Sequence, residues 1–494
     1  MNVQNPQPAT GLASLETRLA EDLSLLELPP KEWVPATAYD GSRVHDVVVI
    51  GAGMCGLVAV ASLKMLGIFN VVCLDRAPQG REGPWVTYAR METLRSPKQL
   101  TGPALGLPAL TFRAWYVAQF GAEAWETLGK IPKDQWMEYL VWYRKVLDLP
   151  VRNLVEVTDM MPAGNDLIAL DAIDKASGKH ERIYARHVVV ATGRDGLGGC
   201  YVPEFAEGVD RRFWAHSADD IDFAALKGKH VAVIGAGASA MDNAATALEA
   251  GAAGVDMIIR RRAMPRVNKF TGISSQGVVQ GFAGLSDDWK WKFMDYVLGA
   301  QTPPPRDSTL RVSRHPNGRF FLDTAVRGLR RSGDKVMVET SRGTLEYDFV
   351  IFATGFRVDL DRRPELKNFA PFIRFWQDVY TPPESMENGE LSTSPYLGPD
   401  FEFLEKVPGT CPALRLVHCF NYPASLSHGK LSGDIPAVSD GGRRLARGIA
   451  RSLFVADREY HFASLMAYET PELLGDEWTD SAAVLDELRK GAAE

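Results

Sequence analysis

One arrangement occurs twice in this chain and narrows its fold more than any other feature: an apolar run, a tight glycine-rich turn, a helix and a second apolar run. The first copy is Asp46-Val47-Val48-Val49-Ile50, then Gly51-Ala52-Gly53-Met54-Cys55-Gly56, a helix from about Cys55 to Leu66 stopped by Gly67, and Val71 to Asp75. The second is His230-Val231-Ala232-Val233-Ile234, then Gly235-Ala236-Gly237-Ala238-Ser239-Ala240, a helix from Ala238 to Ala250 stopped by Gly251, and Val255 to Arg260. Continuous apolar runs this short suit strands buried on both faces of a parallel sheet. The copies begin 184 residues apart and occur only twice, so they are β-α-β units and not a solenoid.

The turns carry chemistry. In G-x-G-x-x-G the first glycine permits the tight turn, the second leaves room for a pyrophosphate, and the third lets helix and strand pack closely. The helix N-terminus then offers free N–H groups and partial positive charge to the diphosphate. Gly51, Gly53, Cys55 and Gly56 are the contacts expected in the first unit; Gly235, Gly237, Ala238, Ser239 and Ala240 are those of the second, in its G-x-G-x-x-A form. The first unit's second strand ends in Asp75, followed by Arg76, where an acid can bind a ribose diol. The second unit's ends in Arg260-Arg261-Arg262, and guanidinium groups pair with a 2′-phosphate that a carboxylate would repel. The acid-ended unit therefore suits FAD, and the arginine-ended unit, through Arg260 and Arg261, suits NADPH.

Two further apolar runs, ending in Ala191-Thr192-Gly193 and Ala353-Thr354-Gly355, flank the second unit. Their small residues let backbone approach a ligand, so Thr192, Gly193, Thr354 and Gly355 join the expected cofactor contacts. The reading is an α/β fold of two Rossmann-like domains, one inserted in the other. A helical extension spans 1–40, the FAD domain 41–205 and 345–494 with C-terminal helices, and the NADPH domain 206–344. In the extension Leu12, Leu15, Leu19, Leu23 and Leu26 recur at helical spacing, to pack on the chain's own body or on a partner. Residues 84–145, rich in Trp and Tyr, fit neither template. Residues 299–307 read as a loop, and Asp219-Asp220 and Asp287-Asp288 as solvated loop charge.

Composition removes other classes. A net charge of −7 gives no basic field for nucleic acid or anionic lipid. No apolar run reaches the roughly 18 residues of a membrane span, and the N-terminus lacks a secretory pattern. Five cysteines, never spaced C-x-x-C, argue against a disulfide scaffold, a zinc knuckle or a local redox dithiol, and place the chain in the cytoplasm. No metal spacing appears among nine histidines. A homodimer is the base expectation for oligomeric state.

Together these features resemble the two-dinucleotide-binding-domain flavoproteins from His45 to about Leu453. Gly83-Pro84-Trp85 resembles the G-x-W segment of class B flavin-dependent monooxygenases, a family of flavin-containing, N-hydroxylating and Baeyer–Villiger enzymes. Ala353-Thr354-Gly355-Phe356 is similar to that family's A-T-G-[FY] strand end, and His216-Ser217 to the end of its F-x-G-x-x-x-H linker. Arg212 and Asp210 stand where that linker has glycine and phenylalanine, which weakens a Baeyer–Villiger assignment. The resemblance implies NADPH reducing FAD, and O2 giving a C4a-(hydro)peroxyflavin that oxygenates a small substrate at N, S or a carbonyl. It adds Trp85 and Asp434 as cofactor contacts, Asp434 accepting a ribityl hydroxyl or else capping a turn. Leu94-Arg95-Ser96-Pro97 resembles a stretch of N-hydroxylating relatives. Arg95 and His216 are thus the catalytic candidates, against the alternatives of a surface arginine and a linker histidine. The competing reading is an NADPH-dependent flavin reductase that inserts no oxygen.

Overall fold

The computed structural model describes residues 11–164 and 166–492, so residues 1–10 of the expected extension and the final 493–494 lie outside the description. The chain divides into a unit running to Arg451 and a smaller one, Ser452–Glu494.

In the larger unit the first sheet is built on β2 (Ser42–Ile50), β3 (Val71–Asp75), β4 (Val151–Asn153) and β7 (His180–Val190), hydrogen-bonded in parallel in the order β4-β3-β2-β7. The short β1 (Ala38–Tyr39) pairs antiparallel with β2, and β18 (Val417–Cys419) pairs in parallel with β7. β5 (Val155–Ala163) and β6 (Leu167–Asp174) extend β7 as an antiparallel meander. Val47, Val48 and Val49 are wholly buried, as strands covered on both faces require.

The second sheet is entirely parallel, in the order β12-β11-β10-β16-β9: β9 (Trp214–His216), β10 (His230–Ile234), β11 (Gly254–Ile258), β12 (Gly318–Phe321) and β16 (Phe349–Phe352). Here the reading of the sequence is corrected. The strand ending in Ala353-Thr354-Gly355, assigned above to the outer domain from residue 345, lies between β10 and β9 in the inner sheet. Its apolar residues fit the middle of either sheet, and only the pairing decides. β8 (Gly198–Cys200) and β17 (Phe356–Val358) form a two-stranded link, and β13 (Val326–Ser332), β14 (Lys335–Thr340) and β15 (Gly343–Tyr347) a small antiparallel sheet.

Residues 84–145 hold two helices the periodicity did not show, Phe112–Thr127, broken at Gly121 (φ 86°), and Lys133–Val146. Trp115, Trp125, Trp136, Tyr139 and Tyr143 are buried; Trp115 meets Tyr139 and Trp125 meets Tyr116 edge to face, while Trp136 and Tyr143 pack at a tilt against Tyr139. Aromatic residues on several faces erase the apolar stripe that marks an amphipathic helix. The helix Leu12–Leu25 buries Leu15 and Leu19, and Trp142 Nε1 donates to Glu16 Oε1 at 3.1 Å, so this helix packs on its own chain. Asp287 and Asp288 open the helix Asp287–Ala300, where carboxylates favour the N-terminal dipole, and are not loop charge.

Candidate active site

Parallel pairing brings the carboxyl ends of β2, β3, β7 and β18 together, so Gly51, Asp75, Thr192 and Asn421 border one crevice. The three glycines of the turn differ in what surrounds them. A Cβ on Gly51 (φ +100°) would lie 2.6 Å from the Ala191 carbonyl oxygen, and one on Gly56 would collide with the Gly51 carbonyl oxygen. These two shape the turn. A Cβ on Gly53 would meet nothing nearer than Gly83 Cα at 3.9 Å, so the space over Gly53 is open. Gly53 also starts the helix Met54–Lys64 with no side-chain cap, leaving first-turn N–H groups for a ligand.

The walls of this cradle are pinned. Asp75 Oδ2 accepts from the Ala52 N–H and Oδ1 from the Ala77 N–H, both at 2.7 Å, which fixes the glycine turn to the end of β3. Buried Glu82 pairs with Arg144 at 3.2 Å, accepts from Asn153 Nδ2 at 2.7 Å and takes the Gly80 N–H at 2.7 Å, holding the segment that presents Gly83 and Trp85. Half-buried Trp85 meets Trp136 edge on at 6.2 Å. Cys55 Sγ–H donates to the Ser432 carbonyl at 3.4 Å, and burial pushes this thiol up to about 12, so it stays protonated. That contact carries Ser432-Gly433-Asp434 to the head of the first helix. Asp434 pairs with Lys430 at 3.3 Å and is also the charge acting on exposed Arg95, whose pKa burial lowers and Asp434 raises. Arg76 points outward, toward Glu156 at 3.9 Å. Thr192 Oγ1 donates to the Gly196 carbonyl at 3.0 Å.

The second cradle repeats the geometry in looser form. A Cβ on Gly235 (φ +140°) would lie 2.6 Å from the Ala353 carbonyl oxygen, which repeats the constraint at Gly51. Gly237 has nothing within 4 Å of its Cβ position and opens the uncapped helix Ala238–Glu249, packed through Ala240. Ser239 is exposed, its hydroxyl donating to Ser217 Oγ at 3.0 Å. Thr354 Oγ1 donates to the Tyr201 carbonyl, and Gly355 (φ +85°) faces open space. The arginines separate by role. Arg261 donates twice to the Gly299 carbonyl, at 3.2 and 3.1 Å, and Arg262 pairs with Asp323 at 3.7 Å. Arg260 is exposed with no hydrogen bond or ion pair among the described residues.

His216 ends β9, buried. Its Nδ1 accepts from the Ala218 N–H at 3.1 Å, which leaves Nε2–H to donate to the Gly355 carbonyl at 3.0 Å. Burial lowers its pKa, and both nitrogens are committed to backbone. The ring therefore ties the Ala-Thr-Gly turn to β9. Asp219, read as solvated charge, accepts from the His216 N–H at 2.7 Å and pairs with Arg211 at 2.6 Å. Sequence reasoning missed Arg194, which stacks over Tyr422 at 4.5 Å beside Gly193. Its signal was its place directly after Ala-Thr-Gly; nothing local marked Tyr422, 228 residues on.

A dinucleotide fits both cradles, because Gly53 and Gly237 leave open exactly the volume a side chain would fill at an uncapped helix start. Residues 48–274 match the family model described as pyridine nucleotide-disulphide oxidoreductase. The chain is 39% identical over 472 residues to FAD-dependent urate hydroxylase of Xanthomonas campestris, covering 94% of this chain and 98% of that protein. Its fold is shared by L-lysine 6-monooxygenase from Pseudomonas syringae (16% identity, 83% of this chain, 99% of that one, TM-score 0.63). It is shared also by ornithine hydroxylase from Pseudomonas aeruginosa (16% identity, 83% and 100%, TM-score 0.62). The chain belongs to the family of FAD-dependent urate hydroxylase.

Proposed function

We propose that this enzyme hydroxylates a small, planar, nitrogen-rich anion of the urate kind, taking electrons from NADPH and one oxygen atom from O2. The balance is substrate–H, O2, NADPH and a proton giving substrate–OH, water and NADP+. The observation that carries the reading is the pair of uncapped helix starts with open glycines, one ended by Asp75 and the other by Arg260. Likeness to a urate hydroxylase along nearly its whole length supports the substrate class and favours oxygen insertion over a plain reductase.

FAD supplies the redox chemistry when bound. The chain's own residues position it. The N–H groups of the first turn after Gly53 hold its diphosphate, and Asp75 keeps lone pairs free for the ribose diol beyond its two backbone bonds. Gly83-Pro84-Trp85, Thr192 and Gly193 close the crevice, with Asp434 and Arg95 at its far end. At the second cradle Arg260 receives the 2′-phosphate, and Arg261 fixes the strand end. Arg194 stacked on Tyr422 offers a flat cationic platform that suits a planar anion. His216 is a positioning residue for the turn at Gly355. Among the described residues no helix is long and apolar enough to cross a membrane; the cytoplasm as compartment and a homodimer as assembly complete the proposal.

Mass spectrometry of the product formed from urate, NADPH and 18O2 by the FAD-loaded enzyme tests the reading. One labelled oxygen in the product is expected. NADPH consumption that yields only hydrogen peroxide, with unlabelled urate returned, overturns the substrate class.

A further inference from the structure

The two cradles end different sheets, so their spacing depends on what joins the segments that carry them. Between residues 84–145 and the inner sheet the joint is polar. Among the described residues, neither apolar cluster of that sheet, one around Val233 and Met257, the other around Ala232 and Phe352, takes in a residue of 84–145. Joints without a shared core move unless specific bonds hold them.

Two arginines cross this joint. Arg90 closes the turn that presents Gly83 and Trp85. Thr87 Oγ1 donates to the Gly83 carbonyl at 2.7 Å, the Ala89 N–H to the Pro84 carbonyl at 2.9 Å, and Arg90 Nη1 to the Thr87 carbonyl at 3.0 Å. Nη2 of the same guanidinium donates across the joint to the Asp219 carbonyl at 3.0 Å. Its face lies 5.4 Å over Phe223, which packs on the inner core. Asp219 holds the His216 N–H, and His216 holds the Gly355 carbonyl.

Arg311 crosses from the other side. It stands on the helix Arg306–Ser313 with its side chain 13% exposed, clamped to Glu249 of the helix Ala238–Glu249 by bonds of 2.8 and 2.7 Å. Its Nη1 donates to the Arg90 carbonyl at 3.1 Å, and Glu92 lies 3.8 Å away. Arg90 is therefore held twice: its side chain reaches toward the Gly355 turn, and its carbonyl is fixed to the helix that Gly237 opens. Gly83, at the start of the same turn, lies across Gly53. A planar fork that gives bonds to carbonyls on both sides fixes an angle as well as a distance, which a lysine's point charge would not.

We propose that Arg90 and Arg311 are positioning residues for hydride transfer, setting the spacing and angle at which the nicotinamide meets the flavin. This rests on the assignment of the first cradle to FAD and the second to NADPH, and not on the substrate. Neither arginine lies within 4 Å of the Cβ position of Gly53 or Gly237, so binding of each ligand separates from the step between them. A misplacement of about 1 Å is enough to slow such a step on the order of a hundredfold.

Stopped-flow reduction of the FAD-loaded protein by NADPH without oxygen, beside calorimetry with NADP+, tests the proposal. Arg90→Met and Arg311→Met keep the side-chain stems and remove the donors. Each lowers the limiting reduction rate at saturating NADPH on the order of tenfold or more, while flavin content and the Kd for NADP+ stay at wild-type level. The change that bound NADP+ makes in the flavin absorption spectrum, which needs the two rings close together, shrinks in parallel. Arg90 bonds to backbone carbonyls, so its variant decides the matter even where loss of the Glu249 clamp disturbs the fold around Arg311. An unchanged limiting rate and difference spectrum in Arg90→Met overturn the proposal, as does a slower rate matched by an equal loss of NADP+ affinity. Wild-type flavin that NADPH fails to reduce overturns instead the cradle assignments on which the proposal rests.

Discussion

The two nucleotide cradles share a plan and differ in how tightly the plan is enclosed. At the first, the opening turn of the helix is buried from Met54 to Gly56, Gly83 lies across Gly53, and Ser432 reaches the helix through Cys55. At the second, Ala238 and Ser239 are half-buried and exposed, and nothing lies within 4 Å of the Gly237 Cβ position. The terminal charges follow the same division: Asp75 is buried and bonded twice to backbone, whereas Arg260 stands free. An enclosed cradle retains its ligand through a slow off-rate, and an open one exchanges it. The difference matches a resident flavin and a nicotinamide donor that must leave in each cycle.

Substitutions at the equivalent glycines give the largest expected effects. Gly53→Val fills the open space at the start of the enclosed cradle's helix, so FAD binding weakens on the order of a hundredfold or more, about 3 kcal/mol. Because a Cβ there meets no protein atom nearer than 3.9 Å, the apoprotein keeps its melting temperature, and flavin absorbance after gel filtration reads the loss. Gly237→Val leaves flavin content untouched and slows only anaerobic flavin reduction by NADPH. Loss of bound flavin in both variants would erase the distinction between the cradles.

The arginines sharpen the comparison at a smaller scale. Arg260→Ala removes a free guanidinium, worth about 1.5–3 kcal/mol against a phosphate. The kcat/KM for NADPH falls roughly 10- to 100-fold, and that for NADH little. Arg261→Ala releases the Gly299 carbonyl and lowers both donors' kcat/KM by a similar, lesser factor. Steady-state kinetics with the two donors separates the outcomes, and equal selectivity loss in both variants sinks the division of labour.

How much of this was legible in the sequence follows from how local each feature is. The strands His230–Ile234 and Val71–Asp75 and both glycine turns were readable, because run length and glycine spacing are properties of adjacent residues. The membership of Phe349–Phe352 was not, since a buried parallel strand looks alike in any sheet. The roles of Arg261 and His216 were hidden for a related reason: their partners, Gly299 and Gly355, are backbone carbonyls 38 and 139 residues away, and a carbonyl has no sequence signature. The clamp of Glu82 on Arg144 and Asn153 is likewise non-local.

The last effect concerns acid, and it is read on stability and not on ligand affinity. The strands that end at the enclosed cradle, β7 and β18, are joined by a buried imidazole pair: His418 Nδ1–H donates to the Asp400 carbonyl at 2.8 Å, so its bare Nε2 accepts from His187 Nδ1–H at 3.0 Å. Burial pushes His418 down to about 4 and His187 well below its usual value. In the unfolded chain both take a proton near 6.5; in the folded one they resist it until far lower. The folded pKa being depressed, the stability is whole above about pH 6.5 and drains as pH falls toward 4, by about 3 kcal/mol from His418. Chemical denaturation across that range should show the slope, and His418→Asn, which takes no proton, should flatten it. An unchanged slope in the variant would mean that this pair titrates in the folded chain as freely as in the unfolded one, and that the enclosed cradle owes its acid sensitivity to other groups.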